Sequence, residues 1–409
     1  MPTEPFRFVH AADFHLEKPI GGLSEVPEHL RDMLIDGAYR AAERVFDTVL
    51  AEEAEFLVLS GDILHYQLTG PRGPLFLAEQ FERVAQRGIA VYWAGGRVDP
   101  PEAWPHEIKL PNTVHLFPSG RPEQVVHQRD MVPLARLLGA SRVRGRAIRP
   151  AEFDPDPAGL YTIAVVHGRA EAESLRSRAI HYWALGGNHA RTTLYSAPHV
   201  AHYPGTPQSR GPAQTGPHGC TLVSVDQQQQ ARTTLVPTDS IRWHSERLVV
   251  DESTSRAQFE ACLRQRLGAL TETAGTDMLI CWVVAGTGPL LAALRRGNLA
   301  AELLAMLRSE AGQARPSAWS VSIGVEPPAV LPAECYEQQT ILGDYLRELR
   351  HYQMNPDEPL ELENYLSPQH AAGTLGPLVA VSDAAMRERL LREAAVLGVD
   401  LLTGEGPGP

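Results

Sequence analysis

The chain is poor in several things, and each shortage closes a door. Among its 409 residues only Lys18 and Lys109 are lysines, so nearly every basic side chain is an arginine, which we attribute to coding bias. A phosphate-binding P-loop needs Gly-Lys before Ser or Thr, and here Glu17 precedes one lysine and Ile108 the other. That loop is therefore excluded. The four cysteines, Cys220, Cys262, Cys281 and Cys335, are far apart and form no CxxC pair. This excludes a zinc ribbon and a thioredoxin-type motif, and so few cysteines in so long a chain argue against a disulfide framework. Apolar runs are short. The longest, around Met278–Ala285, suits a buried strand and falls well below the roughly 18 residues of a membrane span. The first apolar run, Phe6–Ala12, leads straight into Asp13 and His15 without the pattern of a signal peptide, so a cytoplasmic protein with no membrane contact is expected. Positive charge is also in deficit, with 37 Lys and Arg against 49 Asp and Glu, a net charge of −12. Binding of nucleic acid through overall charge is excluded, and any such role must use a local patch, a metal or a partner.

What is present reads as ordinary globular material, 43% hydrophobic and 21% charged, long enough for two or three domains. Phe6–His10, Phe56–Ser60 and Ile89–Ala94 read as strands. Between them lie helical stripes over Arg31–Ala54 (Leu34, Ala38, Ala42, Val45, Val49) and Leu75–Gln86. This β-α-β-α-β order predicts parallel strands with helical crossovers. Further short strands are expected near Val114, Val143, Tyr161–Val166, His181–Leu185, Thr221–Val225 and Thr233–Val236, with Gln227–Gln230 at a hairpin tip. Nine Gly or Pro among the 23 residues of 197–219 suggest a long surface loop. The pattern resets after Ser240. Arg247–Val250, Arg256–Leu270, Met278–Ala285, Ala300–Leu307 and Trp319–Ile323 make a small α/β unit. Beyond Leu331 the chain reads as helical, with one face of Leu342, Tyr345, Leu346, Leu349 and Tyr352. A second face carries Met386, Leu390, Ala394 and Leu397 behind a Ser382 cap. The expected domains are 1–240, 241–330 and 331–409. The expected fold class is α/β: a layered α/β/β/α sandwich with a small α/β capping domain and a helical C-terminal tail.

Five motifs carry chemistry, each at the end of an expected strand. They are Asp13-Phe14-His15, Ser60-Gly61-Asp62, Gly95-Gly96-Arg97-Val98-Asp99, Val166-His167-Gly168 and Gly186-Gly187-Asn188-His189. Sites in α/β sheets form beyond the carboxyl ends of strands, so the five should converge. Mixed Asp and His donors suit a borderline transition metal such as Mn²⁺, Fe²⁺ or Zn²⁺. In Asp13-x-His15, the alternation of a strand end throws both side chains to one side. Gly61 lets the backbone turn and aim Asp62 inward.

Taken in order, these motifs resemble those of the calcineurin-like metallophosphoesterases and, more narrowly, the SbcD-type double-strand-break repair nucleases, including their YhaO-like branch. The resemblance runs through the first 240 residues, and Tyr203–Gln208 and Thr215–Cys220 resemble that branch's late loop and following strand. It implies a metal-dependent phosphodiesterase or DNA exonuclease of repair. The first of two ions would be held by Asp13, His15, Asp62 and His189, with Asp62 bridging to a second ion at His167. The sequence departs from the pattern at the second ion: Arg97 stands for an Asn ligand, Val98 for the histidine that assists catalysis, and Gly187 for another His ligand. One ion, with Mn²⁺ the expected metal, is therefore anticipated rather than two, and a weakened activity. Arg97 is either a phosphate-binding group or a salt-bridge partner of Asp62 or Asp99. His65, His106, His199 and His202 are candidates to compensate for the lost histidine, or are merely loop histidines. The cluster Arg136, Arg142, Arg144, Arg146 and Arg149 is either a nucleic-acid contact or a solvated strand face. The resemblance further implies DNA as a partner, an SMC-like ATPase subunit docked through residues 331–409, and a possible homodimer. The alternative is a non-catalytic metal-binding subunit of such an ATPase.

Overall fold

Twelve of the described strands and two long helices build the region that carries the five motifs. The computed structural model describes residues 4–23, 26–68, 70–272, 275–295, 297–326, 333–365, 381 and 383–402. Its chain divides into two units, one of residues 1–244 with the short pieces 274–279 and 315–317, the other of residues 245–273, 280–314 and 318–409.

In the first unit, β1 (Phe6–Ala11), β2 (Phe56–Leu59), β3 (Ala90–Ala94) and β4 (Val114–Phe117) run parallel, and α1 (Glu28–Ala51) and α2 (Arg72–Ala85) are the first two crossovers. The second sheet contains β5 (Glu123–Arg129), β6 (Val132–Ala140), β7 (Tyr161–His167), β8 (Tyr182–Gly186), β9 (Thr192–Tyr195) and β10 (Val200–Tyr203), with the short helix α3 (Ala172–Arg176) between β7 and β8. The hairpin β11 (Gly219–Val225) and β12 (Ala231–Pro237) returns to the first sheet. The strand orders are β12-β11-β1-β2-β3-β4 and β5-β6-β7-β8-β10-β9.

Burial explains the layering. Strand residues alternate between faces, so Phe8, Phe56, Val58 and Tyr92 from one sheet meet Leu137, Tyr161, Ile163 and Tyr182 from the other in an inter-sheet core. The opposite face of the first sheet, with Val9, Leu57, Leu59, Val91 and Trp93, packs on Ala38, Ala42, Val45 and Val49 of α1 and Leu77 and Phe81 of α2. The α1 stripe read from the sequence is this buried face. Trp183, Leu185 and Val166 bury the outer face of the second sheet under Phe153 and Leu175. The result is the layered α/β sandwich that the sequence predicts.

Two expectations fail here. There is no strand at Val143, which is exposed in a turn-rich loop, and the β5–β6 hairpin stands upstream of it. That hairpin turns on Asp130 and Met131, both at positive φ (49° and 65°), the geometry usually filled by Asn-Gly. Nor is 197–219 a surface loop: it contains β10, and residues 200–210 are buried throughout. Side chains satisfy part of its backbone, as where Gln214 Oε1 accepts from the Arg210 amide (2.7 Å), and its own side chains tie it to the chain that follows. Gln208 accepts from the Ser240 amide (2.9 Å) through Oε1 and donates to the Ile241 carbonyl (2.6 Å).

A third sheet has the order β13-β14-β15, formed by β13 (Ile241–Val250), β14 (Asp277–Gly286) and β15 (Ala318–Val325), and most of its residues belong to the second unit. The described helices of the second unit are α4 (Arg256–Glu272), α5 (Pro289–Arg295), α6 (Asn298–Ala311), α7 (Ala333–Glu337), α8 (Ile341–Met354) and α9 (Ala384–Leu402). Leu342 and Leu346 of α8 are buried as expected. On α9 the buried residues include Arg387, Leu391, Ala395 and Gly398, one position round from the expected face, which leaves Met386 and Leu397 exposed. The expected cap Ser382 lies outside the described residues. The Asp383 carboxylate accepts from the Ala385 amide at 3.1 Å.

Candidate metal centre

All five motifs sit just past the carboxyl ends of parallel strands β1, β2, β3, β7 and β8. Three crossover connections and the pairing of two sheets thus deliver side chains from distant parts of the sequence to one edge. The backbone there is forced. Asp13, His15, Glu17 and Asp62 all have positive φ, between 47° and 73°. Non-glycine residues in that region cost on the order of 1–3 kcal/mol each and persist where surrounding structure over-determines them, typically at functional sites. Hydrogen bonds between the first two loops fix the geometry: Asp13 N–H donates to the Gly61 carbonyl (2.9 Å) and His15 N–H to the Asp62 carbonyl (2.9 Å). Gly61 is needed for a second reason, since a Cβ there would lie 2.7 Å from both the Gly96 backbone and His167 Nδ1.

The donors fall into two overlapping groups, Asp13–His15–His189 and Asp13–Asp62–His167, each with ligand atoms within 4.8 Å of one another. His15 Nε2 faces His189 Nε2 at 2.9 Å and lies 3.9 Å from both Asp13 Oδ1 and Asp62 Oδ2. His167 Nε2 is 3.5 Å from Asp62 Oδ2. Donors that share one ion at about 2.0–2.2 Å stand at most about 4.4 Å apart, so these separations fit. The backs of the rings are held: His167 Nδ1 by the Ser60 carbonyl (2.9 Å), His189 Nδ1 by the Gln214 amide (3.0 Å) and His15 Nδ1 by His65 Nε2 (2.9 Å). Such outer contacts orient metal-binding imidazoles. One atom decides the fit. Asp13 Oδ1 is buried with no hydrogen-bond partner among the described residues, while Asp13 Oδ2 accepts from the Gly187 amide (2.9 Å). A buried carboxylate oxygen without a donor is costly, and a cation between it and the neighbouring imidazoles removes that cost.

The electrostatics agree. Burial, opposed by the Gly187 N–H and reinforced by the Asp62 and Asp99 charges, raises the Asp13 carboxyl well above its usual range. Burial, then the positive charge of Arg210 and the other histidines, lowers His15 to about 2. Burial likewise lowers His167 and His189. The imidazoles are thus neutral, the form that binds metal.

The third motif does something the sequence did not disclose. The Arg97 and Val98 amides donate to Asp62 Oδ1 (2.5 and 3.0 Å), while Asp99 is wholly buried and accepts from the amides of Asp62, Ile63 and Gly96 and from Trp93 Nε1. Burial pushes Asp99 up to about 7 against those N–H groups. Asp99 therefore staples the second and third loops together. The Arg97 side chain is exposed and pairs with neither Asp62 nor Asp99. Gly187 (φ 96°) leaves room in front of His167, whose Nε2 would lie 3.1 Å from an added Cβ.

Of the four further candidate histidines, His65 alone reaches this edge. His106 is exposed, His199 packs on His181 (5.2 Å between centroids), and His202 is buried between Thr193 Oγ1 (2.8 Å) and Thr221 Oγ1 (2.9 Å). Arg136 stands apart from the other clustered arginines, bonding the Asp154 carbonyl (2.9 Å). Two supporting residues escaped the sequence reading, both from the segment taken for a surface loop. Buried Arg210 donates to the carbonyls of Phe14, His15 and Lys18, and burial lowers it to about 10. Thr206 Oγ1 donates to the Asp13 carbonyl (2.8 Å).

The chain is similar to a curated protein and to a solved structure. The "uncharacterized metallophosphoesterase YhaO" of Bacillus subtilis (strain 168) is 29% identical over 233 residues, which cover 53% of this chain and 57% of that protein. The chain thus matches little more than half the length of that relative. A solved structure, TT1561 of Thermus thermophilus, aligns with a TM-score of 0.34 at 10% identity, over 56% of this chain and 98% of that one. No family model matches the chain.

Proposed function

We propose that the chain is a divalent-metal-dependent phosphoesterase that cleaves phosphodiesters, of the DNA exonuclease type used in repair. The unpartnered Asp13 Oδ1, set among neutral imidazoles at a sheet edge, is the observation that carries this reading. A bound ion would supply Lewis-acid polarisation of a phosphoryl oxygen and favour hydroxide at neutral pH. The chain's own residues do the rest. Asp13, His15 and His189 would hold the cation, with Asp62 and His167 beside them in the second donor group. Gln214, His65 and the Ser60 carbonyl fix the rings. Exposed Arg97 lies at the mouth, where a guanidinium binds phosphate oxygens through two parallel hydrogen bonds.

One ion rather than two fits the donor supply. Asp62 Oδ1 already accepts two N–H groups and Asp13 Oδ2 one. The two donor groups share Asp13, whose Oδ2 already accepts the Gly187 N–H, so we infer that they compete for Oδ1 and hold one ion between them. Mn²⁺ is the metal we assign, by donor type. Proton transfer at Val98 is lost, which weakens turnover by on the order of 10²–10⁴-fold. Among the described residues, half-buried His65 is an imidazole at this edge that stands outside both donor groups.

The apolar Val98 also favours a second reading, a metal-binding subunit without strong catalysis that pairs with an SMC-like ATPase in the cytoplasm. Exposed Met386, Leu397 and Leu402 on α9 support a partner there, or a second copy of the chain. Hydrolysis of bis(p-nitrophenyl) phosphate with Mn²⁺, abolished by His189→Ala, is the result expected of the enzyme. No turnover, together with co-purification of such an ATPase that is lost on deletion of residues 331–409, would favour the subunit.

A further inference from the structure

Beside the metal centre lies a recess that this reading leaves unused. It has a volume of about 40 Å³, and its wall includes Arg142, Arg146, Arg149, Glu152, Ile148 and His167. The segment that builds it follows β6 and is clamped to the loops of the site. Arg142 N–H donates to the Gly95 carbonyl (2.9 Å), Gly95 N–H donates to Ser141 Oγ (2.7 Å), and Ile148 approaches Gly168 closely enough to touch an added Cβ at 3.5 Å.

The charge of this segment is out of keeping with the chain. Four arginines fall between residues 142 and 149 in a protein of net charge −12. Glu152 pairs with Arg146 and, at 3.6 Å, with Arg149. Among the described residues, no hydrogen bond or ion pair engages the guanidinium groups of Arg142 and Arg144. Arg142 is partly buried, and its charge and that of Arg97 both act on His167, after burial and against the Asp62 carboxylate. A cation placed beside a metal site, without a carboxylate of its own, is arranged for an anion from outside.

We propose that this recess is a second phosphate subsite, which holds through Arg142 a phosphate of the substrate other than the one cleaved. The inference rests on the phosphoesterase reading and adds to it a residue, Arg142, that would meet a phosphate next to the scissile one. The guanidinium fork matches two phosphate oxygens. His167 is at once a metal donor and a wall of the recess, so the two sites are one side chain apart.

The test measures binding of fluorescein-labelled octathymidylate to the full chain in EDTA, across a salt series. We expect Arg142→Ala to weaken binding about tenfold and to reduce the slope of log K against log salt by about 0.7, the share of one phosphate on a single strand. Arg142→Lys should recover part of the affinity. Arg87→Ala, at an exposed position before β3 on the opposite edge of the sheet, should match the wild type. Unchanged affinity and slope in Arg142→Ala, an equal loss in Arg87→Ala, or no binding by the wild type would overturn the proposal. So would inorganic phosphate that binds through Arg142 while the octamer does not, since the recess would then hold only free phosphate. Wild-type hydrolysis of bis(p-nitrophenyl) phosphate with Mn²⁺, measured separately, tells failure of the phosphoesterase reading from failure of the subsite.

Discussion

Two groups of buried histidines lie in the same unit, and they are built for opposite ends. His10 and His202 sit in the interior with every ring nitrogen matched to a hydroxyl: Tyr182 (3.0 Å) and Ser60 (2.8 Å) for His10, Thr193 and Thr221 for His202. His15, His167 and His189 are also buried or half-buried, but His15 Nε2 and His189 Nε2 meet each other (2.9 Å) and His167 Nε2 stands 3.5 Å from Asp62 Oδ2, beside an Asp13 oxygen that has no donor. Burial alone therefore does not mark a site. An incomplete set of partners does, because evolution seldom leaves a buried polar atom unmatched unless something else completes it.

Breaking the incomplete group should have the largest effect. Asp13→Ala removes the atom shared by both donor groups, and we expect Mn²⁺ affinity, measured by isothermal titration calorimetry, to fall more than about 100-fold, beyond the range for outer-contact mutations. The same change in the satisfied group should leave the metal alone: His202→Val is expected to keep Mn²⁺ affinity within twofold. It should cost about 1–3 kcal/mol in urea unfolding, because two threonine hydroxyls lose their partner.

The comparison sharpens with pH. Burial, with a smaller push from Arg191, lowers His202 to about 3 from an ordinary 6.5. Between those values the unfolded chain binds a proton that the fold refuses, so His202 contributes stability above pH 6.5 that is lost as pH falls toward 3. The slope is up to about 1.4 kcal/mol per pH unit. Asp99, raised to about 7, works in reverse, its contribution fading as pH climbs from about 4 toward 7. Urea midpoints of His202→Val should accordingly show a flatter fall between pH 6 and pH 4 than those of the wild type. An identical fall would show that His202 is already protonated in the fold. The smallest effect expected is a gain: Val98→His, placed on the loop that holds Asp62, should raise turnover of bis(p-nitrophenyl) phosphate at least tenfold, toward the lower end of a proton-transfer group's worth.

Much of this was legible because strand-end motifs are local. Apolar runs end in Asp13, Asp62, His167 and His189, and parallel topology alone brings such ends together. The supports were not legible, since they depend on contacts between segments with no periodicity. Arg210 and Gln208 lie in a Gly- and Pro-rich stretch that reads as exposed, yet it is buried, and their side chains bond the backbone of His15, Ser240 and Ile241. The turn at Asp130-Met131 lacks the glycine that announces such hairpins, and the face of α9 was misplaced by one residue because Arg387, rather than an apolar side chain, is buried on it. Arg97 and Val98 were read by their side chains, whereas their backbone amides are what Asp62 uses.

Anomalous diffraction at the manganese edge, from crystals grown with Mn²⁺, tests the central claim most directly. The account predicts one strong peak within bonding distance of Asp13 Oδ1, His15 Nε2 and His189 Nε2. No peak there, with Asp13 Oδ1 instead bonded to a protein donor, would contradict it.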